Sequence, residues 1–359
     1  MTRLLLAGGG HAHALALLDA LRRPLPARIT VVSPAALAPY SGMVPGWLAG
    51  SYRFDDICID IAALARAAGA DFVEGEIAAL DALRREATLA DGTCIGYDWL
   101  SLNVGSTLEP PALVSPALLA LRPLGRLRSA FDALLERIDG DHITVHAVGG
   151  GAAGVESLLA VLARLRAAAP RRRVAAALVA QSDTLLPGFA RGAARHARAA
   201  LERAGVALRL GRAFDADRDG RCDVLLWAAG AVAHRWPRAS ALACDDAGFV
   251  RVDATLRSPS HPEVFAAGDC ARWAQPLPKA GVHAVRMGAV LAHNLRAALV
   301  GAPLRAHRPQ HHMLALLATG DDRAIATWGP LAAEGRWAWR CKDHIDRGFV
   351  ARFRVTAPA

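Results

Sequence analysis

The sequence predicts an α/β fold with two parallel-sheet domains, the second inserted in the first, followed by a small C-terminal domain. The first observation is a unit of apolar strand, glycine turn, helix and second strand that occurs twice. The second is a set of further apolar strands that end in small residues, which is typical of strands buried in a parallel sheet. The repeated parts are Leu4–Ala7, Gly8–Gly10 and Arg28–Val32, and then Ile143–Val148, Gly149–Gly154 and Val174–Val179.

The repeated unit is typical of Rossmann-like dinucleotide-binding domains, the FAD/NAD(P)-binding fold. The buried strand Val264–Asp269 and a long helix after Gly281 are expected to return to the first domain, so that domain is split in sequence. From residue 303 onward the composition shifts toward Arg, His and Trp, which predicts a separate terminal domain. The predicted domains are residues 1–112 with 235–302 (FAD-binding), 113–234 (NAD(P)-binding-like) and 303–359 (C-terminal).

Composition excludes several classes of protein. The chain has 359 residues, 53% of them hydrophobic and 21% charged, which is a globular profile rather than a disordered one. No window approaches the ~18 uninterrupted apolar residues of a membrane span. The N-terminus passes from Leu4–Leu6 directly into glycines, without the longer apolar run of a secretory peptide. We therefore expect a cytoplasmic protein.

The basic residues do not indicate a nucleic-acid partner. The net charge is +9, and every basic residue except Lys279 and Lys342 is an arginine. These residues are scattered, apart from Arg171–Arg173 and the C-terminal segment, whereas nucleic-acid binding needs a basic face or stripe. No metal site is expected either, because the cysteines form no C-x-x-C pair and Pro309 separates His307 from His311.

The first glycine turn has the features of a phosphate-binding turn. Gly8 and Gly10 follow a strand and open a helix, so that backbone N–H groups and the helix dipole can face a pyrophosphate. His13 replaces the usual third glycine and is expected to crowd the helix against the strand. Ser33 stands where an acid usually holds a ribose hydroxyl. A tight turn without a ligand is the alternative for this turn considered alone.

The second turn matches the full pattern, with Gly149, Gly151 and Gly154. Two such units imply that one chain holds two dinucleotides. If the first is FAD and the second a nicotinamide nucleotide, hydride can pass between them across the domain junction.

The order of these motifs resembles that of a known superfamily, the pyridine nucleotide-disulfide oxidoreductases with two dinucleotide-binding domains. The motifs are GGGHAH, YDWLSLNVGS, VGGGAAGVE, LLWAAG and VFAAGDCA. Three longer segments, Pro39–Tyr52, Pro276–Gly288 and Trp328–Phe349, resemble one branch, the flavoprotein found fused N-terminally to selenide, water dikinase (selenophosphate synthase). Type II NADH dehydrogenases and sulfide:quinone oxidoreductases are more distantly similar.

The resemblance implies FAD along Gly8–Gly10, with Asp269 bonded to the ribitol or pyrophosphate region, and NAD(P)H at the second turn. The FAD contacts that it implies are Gly8, Gly9, Gly10, His11, Ala12, Ser33, Tyr40, Ser41, Gly42, Met43, Ile77, Asn103, Val104, Gly105, Gly268, Asp269, Ala280, Gly281 and Val282. Those implied for the nicotinamide nucleotide are Gly149, Gly151, Gly154 and Gly230.

Two residues are candidates for catalysis. Lys279 is placed beside the isoalloxazine by the resemblance, where a cation would stabilise the anionic reduced flavin; the alternative is a surface lysine. Glu156 follows the second turn and is a candidate contact near the nicotinamide; the alternative is an ordinary acid favoured by the helix dipole.

Departures from the superfamily narrow the function. The loop Tyr40–Gly46 lacks the cysteine pair of disulfide reductases, which excludes that mechanism. Val282, Arg286 and Met287 stand where type II NADH dehydrogenases carry quinone-site glutamines. Val179–Ser182 offers no carboxylate for a ribose, so the choice between NADH and NADPH stays open.

The resulting hypothesis is an FAD-dependent oxidoreductase that passes hydride from NAD(P)H to flavin N5. Its small-molecule acceptor is unidentified, a quinone or a selenium or sulfur species. The alternative is a flavin-binding accessory protein that partners selenophosphate synthase with little turnover. The C-terminal tryptophans and arginines predict either a peripheral contact with the inner face of a membrane or packing onto the flavin domain or a second subunit of a homodimer.

Overall fold

A computed structural model describes residues 1–112, 117–137, 140–274, 281–310 and 313–355. The strands are β1 Arg3–Ala7, β2 Arg28–Ser33, β3 Leu37–Pro39, β4 Cys58–Asp60, β5 Asp71–Glu74, β6 Ile77–Asp81, β7 Glu86–Leu89, β8 Cys94–Gly96, β9 Trp99–Leu102, β10 Thr107–Leu108, β11 Ala117–Ala120, β12 His142–Val148, β13 Arg173–Ala180, β14 Val206–Leu210, β15 Val224–Trp227, β16 Ala231–Val232, β17 Val250–Arg251, β18 Val264–Ala266, β19 Ala271–Arg272, β20 Ala315–Ala318, β21 Ala324–Trp328 and β22 Leu331–Gly335. The α-helices are α1 His11–Arg22, α2 Val44–Ala49, α3 Ile61–Ala67, α4 Leu124–Arg137, α5 Ala152–Ala168, α6 Arg191–Arg203, α7 Ala216–Asp219, α8 Trp236–Ala239, α9 Gly281–Leu299 and α10 Arg336–Ala351, and short 3₁₀ helices span Ser41–Met43, Asp55–Ile57 and Gly268–Cys270.

The first parallel sheet has the strand order β18-β9-β1-β2-β5. Its strands are apolar on both faces because helices such as α1 and α9 cover one side and the antiparallel sheet β6–β8 covers the other. The register pairs Ala7 with Val32 and with Leu102, and Leu102 with Ala266. The residues that follow these strands therefore meet at one edge of the sheet, the usual ligand-binding edge of an open α/β sheet.

The second parallel sheet has the order β11-β15-β12-β13-β14. Val148 pairs with Val179 and with Trp227, which brings the second glycine turn next to the ends of β13 and β15. The prediction of an α/β fold with two Rossmann-like domains is confirmed. The two chain segments that connect the sheets contain β10 and β16. These strands pair antiparallel, with Thr107 opposite Val232. The exact domain boundaries stay a prediction.

Helices α1 and α9 pack closely against each other on the first sheet. A Cβ atom on Gly288 would lie 2.5 Å from Leu15 Cδ1, so glycine permits this approach. The close contact fixes the first turn of α9 against the first turn of α1. Residues from both helix starts consequently border the same site.

The C-terminal residues form an antiparallel sheet, β20-β21-β22, followed by α10. This unit touches both larger domains: the Trp339 ring stacks on Tyr52 with centroids 6.0 Å apart, and the Arg203 guanidinium of α6 donates to Glu334. A Cβ on Gly320 would lie 2.6 Å from the Leu159 carbonyl oxygen of α5, so this glycine also marks a close backbone contact. Among the described helices, none is long and apolar enough to cross a lipid bilayer.

Candidate functional site

The first glycine turn is built so that only glycine fits. Gly8 has φ +103°, and a Cβ there would lie 2.4 Å from the Asn103 carbonyl oxygen. A Cβ on Gly10 would lie 2.1 Å from Asn103 Oδ1. The turn therefore presses against the end of β9, and its outward side is bare backbone of the kind that a phosphate can approach.

Asn103 ties the first turn to two strands. Its Oδ1 accepts hydrogen bonds from the backbone N–H groups of Ala12 (3.1 Å) and His13 (3.4 Å), and its Nδ2 donates to the Ala267 carbonyl (2.7 Å). Gly10 and His11 keep N–H groups with no acceptor in the described part of the chain. Two donors at the start of α1 are thus capped by protein and two are left for a ligand.

His13 does not crowd the helix, contrary to the sequence-based expectation. The side chain is fully buried, and its ring nitrogens lie 2.6 Å from the Gly8 carbonyl oxygen and 2.8 Å from Ser101 Oγ. Burial lowers the pKa of His13 to about 4, so the imidazole is neutral at pH 7. At the second turn a Cβ on Gly154 would lie 2.0 Å from the Gly149 carbonyl oxygen. In the first domain, the His13 imidazole separates α1 from the glycine turn. In the second domain, Gly154 lets α5 contact its turn directly.

Ser33 closes the floor of the first turn. It is 4% exposed, and its Oγ would lie 2.5 Å from a Cβ on Gly9. The Ser33 carbonyl accepts a hydrogen bond from Gly75 N, which places the start of β6 beside it. Ile77 itself packs in the apolar core that contains Ala7 and Val32. The hydroxyl is thus the polar group nearest the predicted ribose position.

Asp269 lies at the same edge and is paired with an arginine that the sequence did not single out. Arg122 Nη1 lies 2.7 Å from Asp269 Oδ2, and the same guanidinium donates to Ser106 Oγ. Arg122 follows β11 of the second sheet, so this ion pair joins the two domains. Among so many arginines, no sequence signal marks Arg122. Desolvation lowers the pKa of His11 to about 4 although Asp269 opposes the shift.

The loop after β3 packs under α10. The Tyr40 ring lies 5.2 Å from the His11 ring and 4.6 Å from the Phe349 ring, centroid to centroid. Lys342 Nζ donates to the Gly42 carbonyl (2.6 Å) and to Asp346 Oδ2 (2.7 Å). Both side chains of this ion pair are 7% exposed. Composition alone could have drawn attention to Lys342, one of two lysines, but not to its burial.

Glu156, half-buried near the start of α5, borders the same region. Its Oε1 accepts a hydrogen bond from the Ala318 N–H of the C-terminal sheet (2.7 Å). Burial raises the pKa of Glu156 to about 7, against the opposing effect of the Lys342 cation, while Asp346 adds to the rise. Burial also raises the pKa of Asp346 and of Tyr40. Of these groups, Glu156 has a pKa near neutral pH, so its carboxyl group can hold or release a proton there.

The second turn is more open than the first. Gly149 has φ +120°, and a Cβ there would lie 3.0 Å from the Ala228 carbonyl group, whereas a Cβ on Gly151 would meet nothing within 4 Å. Within the described ranges, the N–H groups of residues 151–154 have no acceptor. The start of α5 therefore offers a larger set of free donors for a pyrophosphate than the start of α1. Gly230 also has open space around it.

Of the other predicted residues, the structure describes Gly281, Val282, Gly268, Met43 and Val104, but not Lys279 and Ala280. Gly281 lies at the start of α9, where an added Cβ would be 2.5 Å from Ser41 Oγ, and Val282 beside it is exposed. Gly268, with φ +73°, would bring a Cβ to 2.7 Å from Asn103 Nδ2. Met43 is buried and Val104 partly buried. Lys279 and Ala280 lie outside the described residues.

These residues fit FAD. The bare turn at Gly8–Gly10, the two free N–H groups, the buried Ser33 hydroxyl and Asp269 lie together at one sheet edge, and the second turn repeats the phosphate-binding arrangement. The fold and the two turns define a flavoprotein with two dinucleotide-binding domains. A family model for pyridine nucleotide-disulphide oxidoreductases matches residues 2–288, and the chain belongs to this family. The predicted superfamily is confirmed, with FAD and NAD(P) as its cofactors.

Curated relatives agree with this class. The chain is 29% identical over 253 residues to the type II NADH:quinone oxidoreductase Ndh of Mycobacterium tuberculosis, covering 61% of this chain and 54% of the relative. An NADH dehydrogenase-like protein of the same species is 29% identical over 308 residues, covering 76% of this chain and 73% of the relative. The chain thus spans about half the length of the first relative.

Solved structures share the fold. The sulfide:quinone oxidoreductase of Aquifex aeolicus superposes with a TM-score of 0.79 at 16% identity, covering 99% of this chain and 92% of that chain. A ferredoxin reductase of Rhodopseudomonas palustris gives a TM-score of 0.71 at 19% identity, covering 91% and 82%. The water-forming NADH oxidase of Lactobacillus brevis gives 0.70 at 18% identity, covering 92% and 75%.

Proposed function

We propose that the chain oxidises NAD(P)H at the α5 turn and reduces a small-molecule acceptor of the quinone class close to the loop Tyr40–Gly42. The observation that carries this proposal is the buried Lys342–Asp346 pair behind that loop, with the half-buried Glu156 carboxyl near it. FAD, when bound, would accept a hydride from NAD(P)H and pass two electrons to the acceptor. The quinone activities in the names of the Mycobacterium and Aquifex proteins support this acceptor class.

Proton balance gives this group of residues its role. NAD(P)H, one proton and a quinone yield NAD(P)⁺ and a quinol, so each turnover needs one proton beyond the hydride. Glu156, with its pKa raised to about 7, holds a proton at neutral pH and releases it readily. We assign Glu156 the role of proton donor. Lys342, fixed between the Gly42 carbonyl and Asp346, is a positioning residue whose charge limits the rise in the pKa of Glu156.

Anaerobic mixing tests the proposal. The FAD-loaded protein is mixed with NADH or NADPH while the flavin absorbance is followed, and a water-soluble benzoquinone is then added. We expect rapid bleaching followed by recovery of the oxidised spectrum on quinone addition. A flavin that dithionite reduces but neither nucleotide reduces would contradict the proposal. Bleaching without recovery would reject the quinone acceptor while keeping the nucleotide step.

The alternative function is a flavin-binding accessory protein that docks on selenophosphate synthase. The lack of a carboxylate at Ser33 and Ala180 favours it, because both nucleotide sites then lack the usual contact to a ribose hydroxyl. Under this alternative the protein would bind selenophosphate synthase in a pull-down and turn over little with either nucleotide. Reduction of selenium or sulfur species in place of quinone is tested in the same recovery assay.

Membrane contact and self-association are also proposals. The C-terminal segment is divided between core and surface: Phe349 and Phe353 are buried, whereas Trp328 and Trp337 are each 56% exposed. The exposed tryptophans support a peripheral contact with a bilayer. Co-sedimentation with anionic vesicles, compared between wild type and Trp337→Ser, tests it. The mass of the protein in solution tests the homodimer.

A further inference from the structure

The residues that follow β13 lie where the adenosine ribose of a nicotinamide nucleotide would bind. In this fold the glycine turn holds the pyrophosphate, and the end of the second strand faces the ribose 2′ position. β13 ends at Ala180, and a Cβ on Gly150 would lie 2.9 Å from Ala180 Cβ. Ala180 is therefore the side chain of β13 that stands closest to the turn.

The internal repeat identifies Ala180 as the ribose position without reference to another protein. Ala7 pairs with Val32 in the first sheet, and Val148 pairs with Val179 in the second. The next residues, Ser33 and Ala180, are equivalent. A carboxylate at this position accepts a hydrogen bond from a 2′-hydroxyl and repels a 2′-phosphate. Ala180 does neither, so it removes the usual discrimination against a phosphorylated ribose.

Hydrogen-bonding groups surround this position. Ser182 Oγ lies 3.2 Å from Thr184 Oγ1, and both residues have partly or fully exposed side chains. The end of β14 is bonded to the same loop, since Gly211 N donates to the Ser182 carbonyl (3.0 Å) and Arg212 N to the Ala180 carbonyl (3.2 Å). The two hydroxyls can donate to phosphate oxygens, and the backbone bonds keep the loop in place.

The two arginines near the loop are already paired with a buried carboxylate. Arg212 donates twice to Asp219, at 2.7 Å and 2.6 Å, and Arg209 donates to the same carboxylate at 2.8 Å. Two arginines and one carboxylate leave this group with a charge of +1. Asp183, exposed in the loop, and Asp215, whose charge acts on Arg212, bring the local sum to −1. A carboxylate at position 180 would add a negative charge next to the 2′ position.

We infer that Ala180, Ser182 and Thr184 form a subsite that accepts a 2′-phosphate. The chain would then take NADPH at least as readily as NADH. The inference rests on the proposed function only in treating the α5 turn as the nucleotide site. It concerns binding, so it can be tested independently of turnover.

Calorimetric binding of NADP⁺ and NAD⁺ to the FAD-loaded protein is the first test. We expect a dissociation constant for NADP⁺ no larger than that for NAD⁺. Ala180→Asp is expected to weaken NADP⁺ by more than about tenfold relative to NAD⁺, because like charges would then meet at the 2′ position. Ala247→Asp, which adds the same charge at an exposed turn, is the matched control and should leave the ratio unchanged.

A second variant covers the case in which Ala180→Asp does not fold, since Ala180 is 4% exposed. Ser182→Ala with Thr184→Val removes only the two hydroxyls and should weaken NADP⁺ several-fold while NAD⁺ binding stays the same. Wild-type binding of NAD⁺ more than about tenfold tighter than NADP⁺ would overturn the inference. An unchanged ratio in both variants would also overturn it. If the two dissociation constants have the predicted ratio but neither nucleotide reduces the flavin, the subsite is upheld and the proposed function is rejected.

Discussion

The side-chain oxygen of Asn103 lies 3.1 Å from the backbone nitrogen of Ala12, across the interface between β9 and α1. The same amide donates to the Ala267 carbonyl at 2.7 Å. One buried side chain, 5% exposed, therefore connects the helix start, the end of β9 and the end of β18. All three of these elements border the first glycine turn.

Replacement of Asn103 should destabilise both the fold and FAD binding. Asn103→Leu leaves buried N–H and carbonyl groups unpaired, and each unsatisfied group costs about 1–3 kcal/mol. Urea unfolding of the FAD-free protein measures this loss, and flavin fluorescence measures release of FAD. Asn103→Asp keeps the acceptor for Ala12 but sets a carboxylate oxygen against the Ala267 carbonyl, so it should also lose stability and regain part of it when the carboxylate is protonated in acid. Equal stability of wild type and Asn103→Leu would show that the cap carries no free energy.

Glu156 should give the stability of the protein a distinctive pH dependence. Its pKa rises from 4.5 to about 7 on burial, so the folded state binds more protons than the unfolded state between these values. The contribution of Glu156 to the free energy of unfolding is therefore complete below about pH 4.5. As the pH rises to about 7, this contribution falls by about 1.4 kcal/mol per pH unit. Denaturant midpoints from pH 4.5 to 8 for wild type and Glu156→Gln measure the difference.

The same variant tests the proton-donor role. Quinone reduction by the wild type should decline above about pH 7, where Glu156 loses its proton, whereas the rate of flavin bleaching by nucleotide should not follow that limb. Glu156→Gln should slow the acceptor step and abolish the limb. If the pH dependence of quinone reduction is the same in the wild type and in Glu156→Gln, Glu156 is not the proton donor.

Sequence reasoning reached the architecture because the strand, turn and helix pattern is local and occurs twice. The two Rossmann-like domains and their two glycine turns follow from that pattern. The long-range partners do not: nothing near Arg122 in sequence indicates Asp269, and the burial of Lys342 depends on α10 packing under the loop at Gly42. His13 was misjudged since a glycine pattern does not reveal that an imidazole can bond to the turn it displaces.

Lys342 and Asp346 should respond differently from a surface pair on the same helix. Lys342→Met leaves the Asp346 carboxyl buried without its cation, and breaking a buried pair costs about 3–5 kcal/mol. Lys342→Met with Asp346→Leu should recover much of that loss. Arg347→Gln breaks the Arg347–Asp343 pair, whose side chains are 53% and 33% exposed, and should cost less than about 1 kcal/mol. Equal losses from the two single variants, measured by urea unfolding, would contradict the buried pairing.

The neutral, buried His13 should make the protein acid-sensitive. Its pKa is lowered from 6.5 to about 4, so the unfolded state takes up a proton in this range while the folded state does not. The contribution of His13 to stability is therefore complete above about pH 6.5 and falls by about 1.4 kcal/mol per pH unit down to about pH 4. His11, with its pKa also lowered to about 4, adds to the slope. His13→Gln can keep bonds to Gly8 and Ser101 without titrating, so its melting temperature should fall less steeply with acid than that of the wild type, and parallel curves would mean that His13 is not the neutral link between the turn and β9.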